Sequence, residues 1–201
     1  AIPELGFEKN FSTDKTGRLK ESFKVSNLIL WSPENPKLYN VEITCADKTI
    51  SDKIGFRTVK VDGTDILLNG KSVFLRGVCL HEENPLKGSR ANSAEEARML
   101  LSWAKELNCN FVRLAHYPHN EHMVRAADEM GLLVWSEIPV YWGINWDNPK
   151  TLQNGLNQLT ENIMRDKNRA CVIIWSMANE TVPGEARNSF LSKLAARARE
   201  L

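Results

Sequence analysis

From about residue 60 onward the chain alternates between short apolar runs and amphipathic stretches of helical period. That alternation restricts the fold more than any other property. Parallel strands cannot be joined by a tight turn and need a crossover of a dozen or more residues, usually a helix. The pattern therefore predicts a parallel sheet covered by helices. Val73–Arg76 reads as the first strand. Ser93 to Leu107 reads as a helix: Ser93 and Glu96 have capping-box spacing, and Ala97, Leu100, Leu101, Ala104 and Leu107 share a face. Asn110–Leu114 reads as a strand and Glu121–Met130 as a helix stopped by Gly131. Leu132–Ser136 is a third strand. Asn148-Pro149 opens a helix with Leu152, Leu156, Leu159 and Ile163 on its core side. Cys171–Met177 is a fourth strand, and Glu185–Leu201 a last helix carrying Phe190, Leu194 and Ala198 on one stripe. Four βα units in succession fit a small doubly wound domain or half of an eight-stranded barrel. No GxGxxG follows the first strand, so the dinucleotide-binding version has little support.

Residues 1–59 have a different texture. Alternating stretches such as Leu19–Val25 and Leu38–Thr44 are separated by turn-rich pieces such as Ser32-Pro33-Glu34-Asn35-Pro36. This is too little for a β-sandwich of about 100 residues, and it reads as the later strands of one already in progress at Ala1. The expected organisation is a β-unit over 1–59 and an α/β unit over 60–201.

Bulk properties remove several classes of function. Net charge is +1, which gives no electrostatic case for nucleic acid or an acidic membrane surface. The longest buried-looking runs, Leu132–Trp135 and Cys171–Trp175, are strand-length, far short of the roughly 18 residues of a membrane span. Neither a cytoplasmic nor a secreted location is favoured. Cys45, Cys79, Cys109 and Cys171 show no CxxC spacing and read as small buried apolar residues.

In βα architectures, function gathers just past the C-terminal ends of strands. Those places here hold Arg76 to Glu83, Arg113 to His119, Glu137 with Tyr141-Trp142, and Asn179-Glu180. Carboxylates beside aromatic rings suit sugars, whose C–H faces stack on rings while their hydroxyls meet polar groups. Bland readings exist for each residue. Glu180 could be a charge favoured by the next helix's N-terminus. Arg76 and Arg113 could be partners of buried carboxylates. His116, His119 and His122 are spaced by three but straddle a strand end, a proline and a helix start, so they cannot share one helix face; no metal site is expected. Trp103 and Trp175 read as core.

The run Gly55-Phe56-Arg57, then Leu68 to Val78, then His81-Glu82, resembles the sandwich-to-barrel junction of family 2 glycoside hydrolases. Asn110-Phe111-Val112-Arg113-Leu114-Ala115-His116-Tyr117-Pro118 is similar to their second barrel strand. Arg165-Asp166-Lys167-Asn168-Arg169, followed by Ile174-Trp175-Ser176-Met177-Ala178-Asn179-Glu180, is similar to their acid/base signature. Leu30-Trp31-Ser32-Pro33-Glu34-Asn35-Pro36-Lys37-Leu38-Tyr39 is similar to the immunoglobulin-like domain before the barrel. The motifs cover nearly the whole chain in the family's order.

The resemblance implies an α/β fold: part of an immunoglobulin-like sandwich over 1–59, then the first four βα units of a TIM (β/α)8 barrel over 60–201. It implies a retaining exo-β-glycosidase acting on terminal β-linked sugars, with no cofactor and a carbohydrate as partner; a homo-oligomer of the whole enzyme is compatible with it. Glu180 would be the general acid/base. Asn179 would bind the sugar 2-hydroxyl, His81 and His116 would bind sugar, and Arg76 and Arg113 would sit near the nucleophile. That nucleophile, a second Glu, belongs after a seventh strand, so these residues alone are expected to be inactive. Where many members carry Asn-Arg before the first-strand His, this chain has Cys79-Leu80. Where magnesium-using galactosidases carry metal ligands after the third strand, it has Tyr141, Trp142 and Gly143. Trp-Ser-Met-Ala-Asn-Glu is closer to β-glucuronidases than to galactosidases, which favours a β-glucuronide over a β-galactoside. The competing reading is a non-catalytic carbohydrate-binding or scaffold protein derived from a glycosidase.

Overall fold

A computed structural model describes residues 1–201. After a short 3-10 turn at Pro3–Leu5, residues 8–38 run without helix or strand. β1 (Tyr39–Cys45) and β2 (Lys48–Ile54) form an antiparallel hairpin in register from Tyr39↔Ile54 to Cys45↔Lys48. The strand expected over Leu19–Val25 is absent. Its alternation is present, but no neighbouring strand runs beside it to take its backbone hydrogen bonds, and Leu19 and Phe23 stay exposed.

β3 (Val59–Asp62), β4 (Asp65–Leu68) and β5 (Lys71–Ser72) make a small antiparallel sheet. Its second turn is Asn69-Gly70, with φ of 53° and 79°, the doubly positive pair that a two-residue hairpin of right-handed twist requires. The parallel sheet begins only at β6 (Gly77–Leu80), so Val73–Arg76 is not its first strand. Val73 N–H still reaches Ile66 in the antiparallel sheet, whereas Arg76 is already tied to Asn110. The run is a link between sheets. Its apolar residues Val73 and Leu75 record packing against the core and no ladder.

A two-rung ribbon, β7 (Glu83–Asn84) and β8 (Ser89–Arg90), leads into α1 (Ala94–Glu106). Then follow β9 (Phe111–Leu114), α2 (Glu121–Met130), β10 (Leu133–Glu137), α3 (Pro149–Asp166), β11 (Val172–Ser176) and α4 (Glu185–Glu200). The sheet is parallel with order β6-β9-β10-β11. Helix ends follow their caps. Ser93 Oγ accepts the Glu96 amide at 3.3 Å. Asn120 Oδ1 accepts the His122 amide at 3.0 Å. Asn148 Oδ1 accepts the Lys150 amide at 2.8 Å, with Pro149 in the first turn. Glu96 departs from the capping box by reaching back to the Asn92 amide, and it also meets Asn84 and Lys87.

Val112, Leu114 and Val134 point to the helix side, where they pack with Ala97, Leu101 and Val124 in the main core. A second cluster, including Ile138, Leu159, Phe190 and Leu194, lies under α3 and α4. Leu107, expected on the core face of α1, caps the helix and is 69% exposed, and Trp103, off that stripe, is 37% exposed. Trp175 packs against both clusters. Cys109 and Cys171 are buried. Cys45, at the hairpin tip, and Cys79 are exposed, against expectation; Cys79 pairs in register with Arg113 and shares its face of the sheet, away from the helices.

The N-terminal residues are fastened to the base of the parallel sheet. Trp31 is fully buried in the main core, and its indole N–H donates to the Asp128 carbonyl at 2.9 Å. Arg57 donates to the carbonyls of Ala170 and Val172 at the start of β11. Arg169, 5% exposed, pairs with Asp52 of the hairpin. No helix is long and apolar enough to cross a membrane.

Candidate active site

Side chains alternate across a strand, so the row Cys79, Arg113 and Trp135, paired in register, faces away from the helices. The Arg113 guanidinium sits 5.1 Å over the Trp135 ring. One turn further, at the C-terminal ends of the strands, four segments converge: His81 after β6, His116 after β9, Glu137 with Tyr141-Trp142 on β10 and its loop, and Asn179-Glu180 after β11.

Glu137 organises this end of the sheet. Its carboxylate is 2% exposed and accepts Arg113 Nε–H at 2.6 Å and the His116 Nδ1 side at 2.9 Å. With both oxygens engaged by charged or polar donors, the carboxylate can stay in a buried place. The hydrogen bond that Arg113 donates to Glu137 holds its guanidinium above its ordinary pKa. Arg113 Nη2 then donates to Asn179 Oδ1 at 2.6 Å. A chain of contacts thus runs from His116 through Glu137 and Arg113 to Asn179, across three strands.

Glu180 follows immediately. It is exposed, at φ 47°, and its Oε2 accepts the indole N–H of Trp142 at 3.0 Å. His81 meets His116 edge-on, with ring centroids 5.3 Å apart, and His116 lies 6.0 Å from Tyr141. The result is an open wall of aromatic and imidazole rings beside one exposed carboxylate.

Of the residues singled out from sequence, Glu180, Asn179, His81, His116 and Arg113 come together here. Arg76 does not. It is exposed one residue before β6, at the opposite end of that strand from His81, and its recorded bonds are main-chain ones to Asn110 and Phe111. Glu82, beside His81, is a structural residue: it is 3% exposed, pairs with Arg90 and accepts the Asn120 side-chain amide at 2.6 Å. His119 is buried, with Nε2 3.0 Å from the Ala115 carbonyl, and burial pushes its pKa down. His116, His119 and His122 do not converge, and no three His, Cys, Asp or Glu side chains form a metal-holding group. Sequence reasoning placed Glu137 and Trp142 on this rim but gave neither a role. Their positions, ending a strand and on the loop after it, were the available signal.

The family model described as "Glycosyl hydrolases family 2, TIM barrel domain" matches residues 59–201, and that described as "Glycosyl hydrolases family 2" matches residues 4–57. The chain belongs to glycosyl hydrolase family 2. Its parallel sheet and helices are part of that family's TIM barrel. Among solved structures, a GH2 β-galacturonidase from Eisenbergiella tayi bound to galacturonate superposes with a TM-score of 0.84 at 30% identity, covering 90% of this chain and 33% of that one. A β-glucuronidase from Ruminococcus gnavus, in complex with a C6-substituted uronic isofagomine, superposes at 0.80 and 32% identity, covering 88% and 32%. A β-galactosidase from Arthrobacter sp. (strain B7) is 32% identical over 192 residues, 91% of this chain and 18% of that protein. The chain spans between 18% and 29% of the length of the first curated relatives it matches.

Proposed function

We propose that the chain carries the acid/base half of a retaining exo-β-glycosidase and that Glu180 is its proton shuttle. The supporting observation is the position of Glu180: exposed, at the C-terminal end of β11, one residue from an Asn179 whose side chain is fixed by Arg113. In barrel enzymes that face carries the chemistry. Glu180 protonates the leaving oxygen in the first step and takes a proton from water in the second. Asn179 holds a sugar hydroxyl, and His81 and His116 line the sugar's path. Arg113 stands ready for the nucleophile, while the placement of Arg76 gives it no such role. Residues 1–59 are assigned to the end of an immunoglobulin-like sandwich and residues 60–201 to the first four βα units of the barrel.

Retaining hydrolysis needs a second carboxylate about 5–5.5 Å from the first. In this family reading it lies beyond β11, so the 201 residues alone do not turn over substrate. The substrate assigned is a β-glucuronide, with a β-galactoside next. The support is the run Trp175-Ser176-Met177-Ala178-Asn179-Glu180, together with the uronate ligands named for the two solved relatives.

The test is Glu180→Ala in the natural full-length protein, assayed with aryl β-glycosides of graded leaving-group ability. Loss of a general acid costs about 10²–10⁴-fold with poor leaving groups and much less with activated ones. Azide should then accelerate turnover of activated substrates and yield a β-glycosyl azide. Equal losses on good and poor leaving groups, with no azide effect, would refute the assignment of Glu180; absence of turnover by the unsubstituted full-length protein would favour a binding protein.

A further inference from the structure

Resting on that reading of Glu180, we infer that Trp142 is a positioning residue that fixes which oxygen of Glu180 carries the catalytic proton. Indole Nε1–H is a donor only; it has no lone pair to offer. At 3.0 Å from Oε2 it can meet that oxygen only as an acceptor. In the protonated acid the carbonyl oxygen is the stronger acceptor of the two, so the indole selects Oε2 for that place and leaves the proton on Oε1. Among residues 1–201 no group hydrogen-bonds Oε1, which leaves it open to substrate.

The loop is built to hold this contact. Beyond β10 the chain adds one more parallel rung, Tyr141 against Asn179. The Asn179 amide donates to Val140 O at 2.9 Å and the Trp142 amide to Asn179 O at 3.3 Å. Trp142 and Glu180 both take the left-handed backbone region, at φ 56° and 47°. This conformation is uncommon outside glycine, and here it turns two side chains toward each other. The Trp142 ring also meets Tyr141 edge-on at 5.4 Å, which limits its swing. The indole is 64% exposed, so burial of the ring does not explain the arrangement.

During cleavage the Oε1 proton passes to the leaving oxygen, which keeps the electron pair of its broken bond to the sugar carbon. That carbon forms a bond to the enzyme's second carboxylate. In the second step water attacks the carbon, that carboxylate leaves with its electrons, and the water proton returns to Oε1. Throughout, the indole N–H stays on Oε2 and prevents the carboxyl from rotating its proton away from the substrate.

The experiment is a double-mutant cycle in the full-length protein with Trp142→Phe and Glu180→Ala, read as kcat/KM on an alkyl β-glycoside and on an activated aryl one. Trp142→Phe keeps a ring and loses the donor. It should cost up to about 10-fold on the alkyl substrate, the scale of one hydrogen bond to a neutral acid, and little on the aryl one. In the Glu180→Ala background it should cost nothing further, and the azide-rescued rate should be unchanged. A loss of equal size in both backgrounds, or none in either, overturns the inference while leaving Glu180 as the shuttle. Absence of leaving-group dependence in Glu180→Ala alone overturns the shuttle reading and this inference with it. The azide rate in the double variant also reports that the protein is folded.

Discussion

Glu137 lies two residues beyond the rung that pairs Trp135 with Arg113, and its Oε1 accepts the Arg113 Nε–H at 2.6 Å. The carboxylate is 2% exposed and the guanidinium side chain 22%. Glu137→Ala should therefore destabilise by roughly 2–4 kcal/mol, somewhat below a fully buried pair because Arg113 keeps contact with water. Glu137→Gln should lose less, since one amide oxygen can still accept from Arg113. Denaturant unfolding of the full-length variants measures both. A loss under about 0.5 kcal/mol for Glu137→Ala would mark the pair as superficial.

Gly131 ends α2 at φ 71°, and a Cβ there would stand 2.4 Å from the Pro33 carbonyl oxygen. Gly131→Ala meets two obstacles at once: a left-handed backbone worth about 1 kcal/mol and a collision with main chain that cannot swing aside. The expected loss is at least about 2 kcal/mol, with the Pro33 segment pushed off α2. Thermal unfolding and limited proteolysis near residues 30–38 read the two effects.

Asp128 is 1% exposed. One of its oxygens accepts the Cys171 amide at 2.7 Å, and the other meets no hydrogen-bond donor, with Arg169 Nη1 3.8 Å away. Burial pushes its carboxyl up from 3.8 to about 6, against the pull of the Cys171 amide and of Arg169. A raised carboxyl pKa means the folded state holds the proton more tightly than the unfolded one. Its neutral-form stability is thus fully present below pH 3.8 and is lost as pH rises through about 6. Linkage puts this at about 3 kcal/mol. Asp128→Asn keeps an oxygen for Cys171 and cannot ionise. The difference in unfolding free energy between wild type and variant should move by most of that amount between about pH 4 and pH 7; a constant difference would show that Asp128 does not titrate there.

Tyr141 and Trp142 occupy the loop where magnesium-using relatives are expected to place ligands. A neutral phenol is a poor metal ligand, and an indole N–H has no lone pair. Activity of the full-length protein should survive exhaustive chelation unchanged. Loss on chelation with recovery on added magnesium would place the ligands elsewhere.

The helices were legible because their ends are written locally. Asn148-Pro149, Ser93 and Gly131 act within a few residues of themselves, and each cap sits where its chemistry requires. β9, β10 and β11 were legible because both their flanks are helices. Val73–Arg76 and Leu19–Val25 misled for one reason: an apolar or alternating run records what its side chains pack against, whereas a strand needs a partner backbone. Within the site, gathering polar residues past strand ends was enough to place Asn179 and Glu180. The pairing of Arg113 with Asn179 spans 66 residues, and that of Trp142 with Glu180 spans 38. Such pairings are set by sheet register and loop conformation, which no local spacing encodes.

Trp31 is the deepest anchor of the N-terminal residues, and its indole N–H closes on the end of α2. Ribosomes deliver chains from the N-terminus, at about 5–20 residues per second. Trp31 therefore emerges before any of the parallel strands beneath which it comes to rest, and so do Pro33 and Asp52. The plug is waiting when its socket is made. α2 and β11 can close on Trp31, Pro33 and Asp52 as soon as they emerge, with no later segment needed to reach back beneath them.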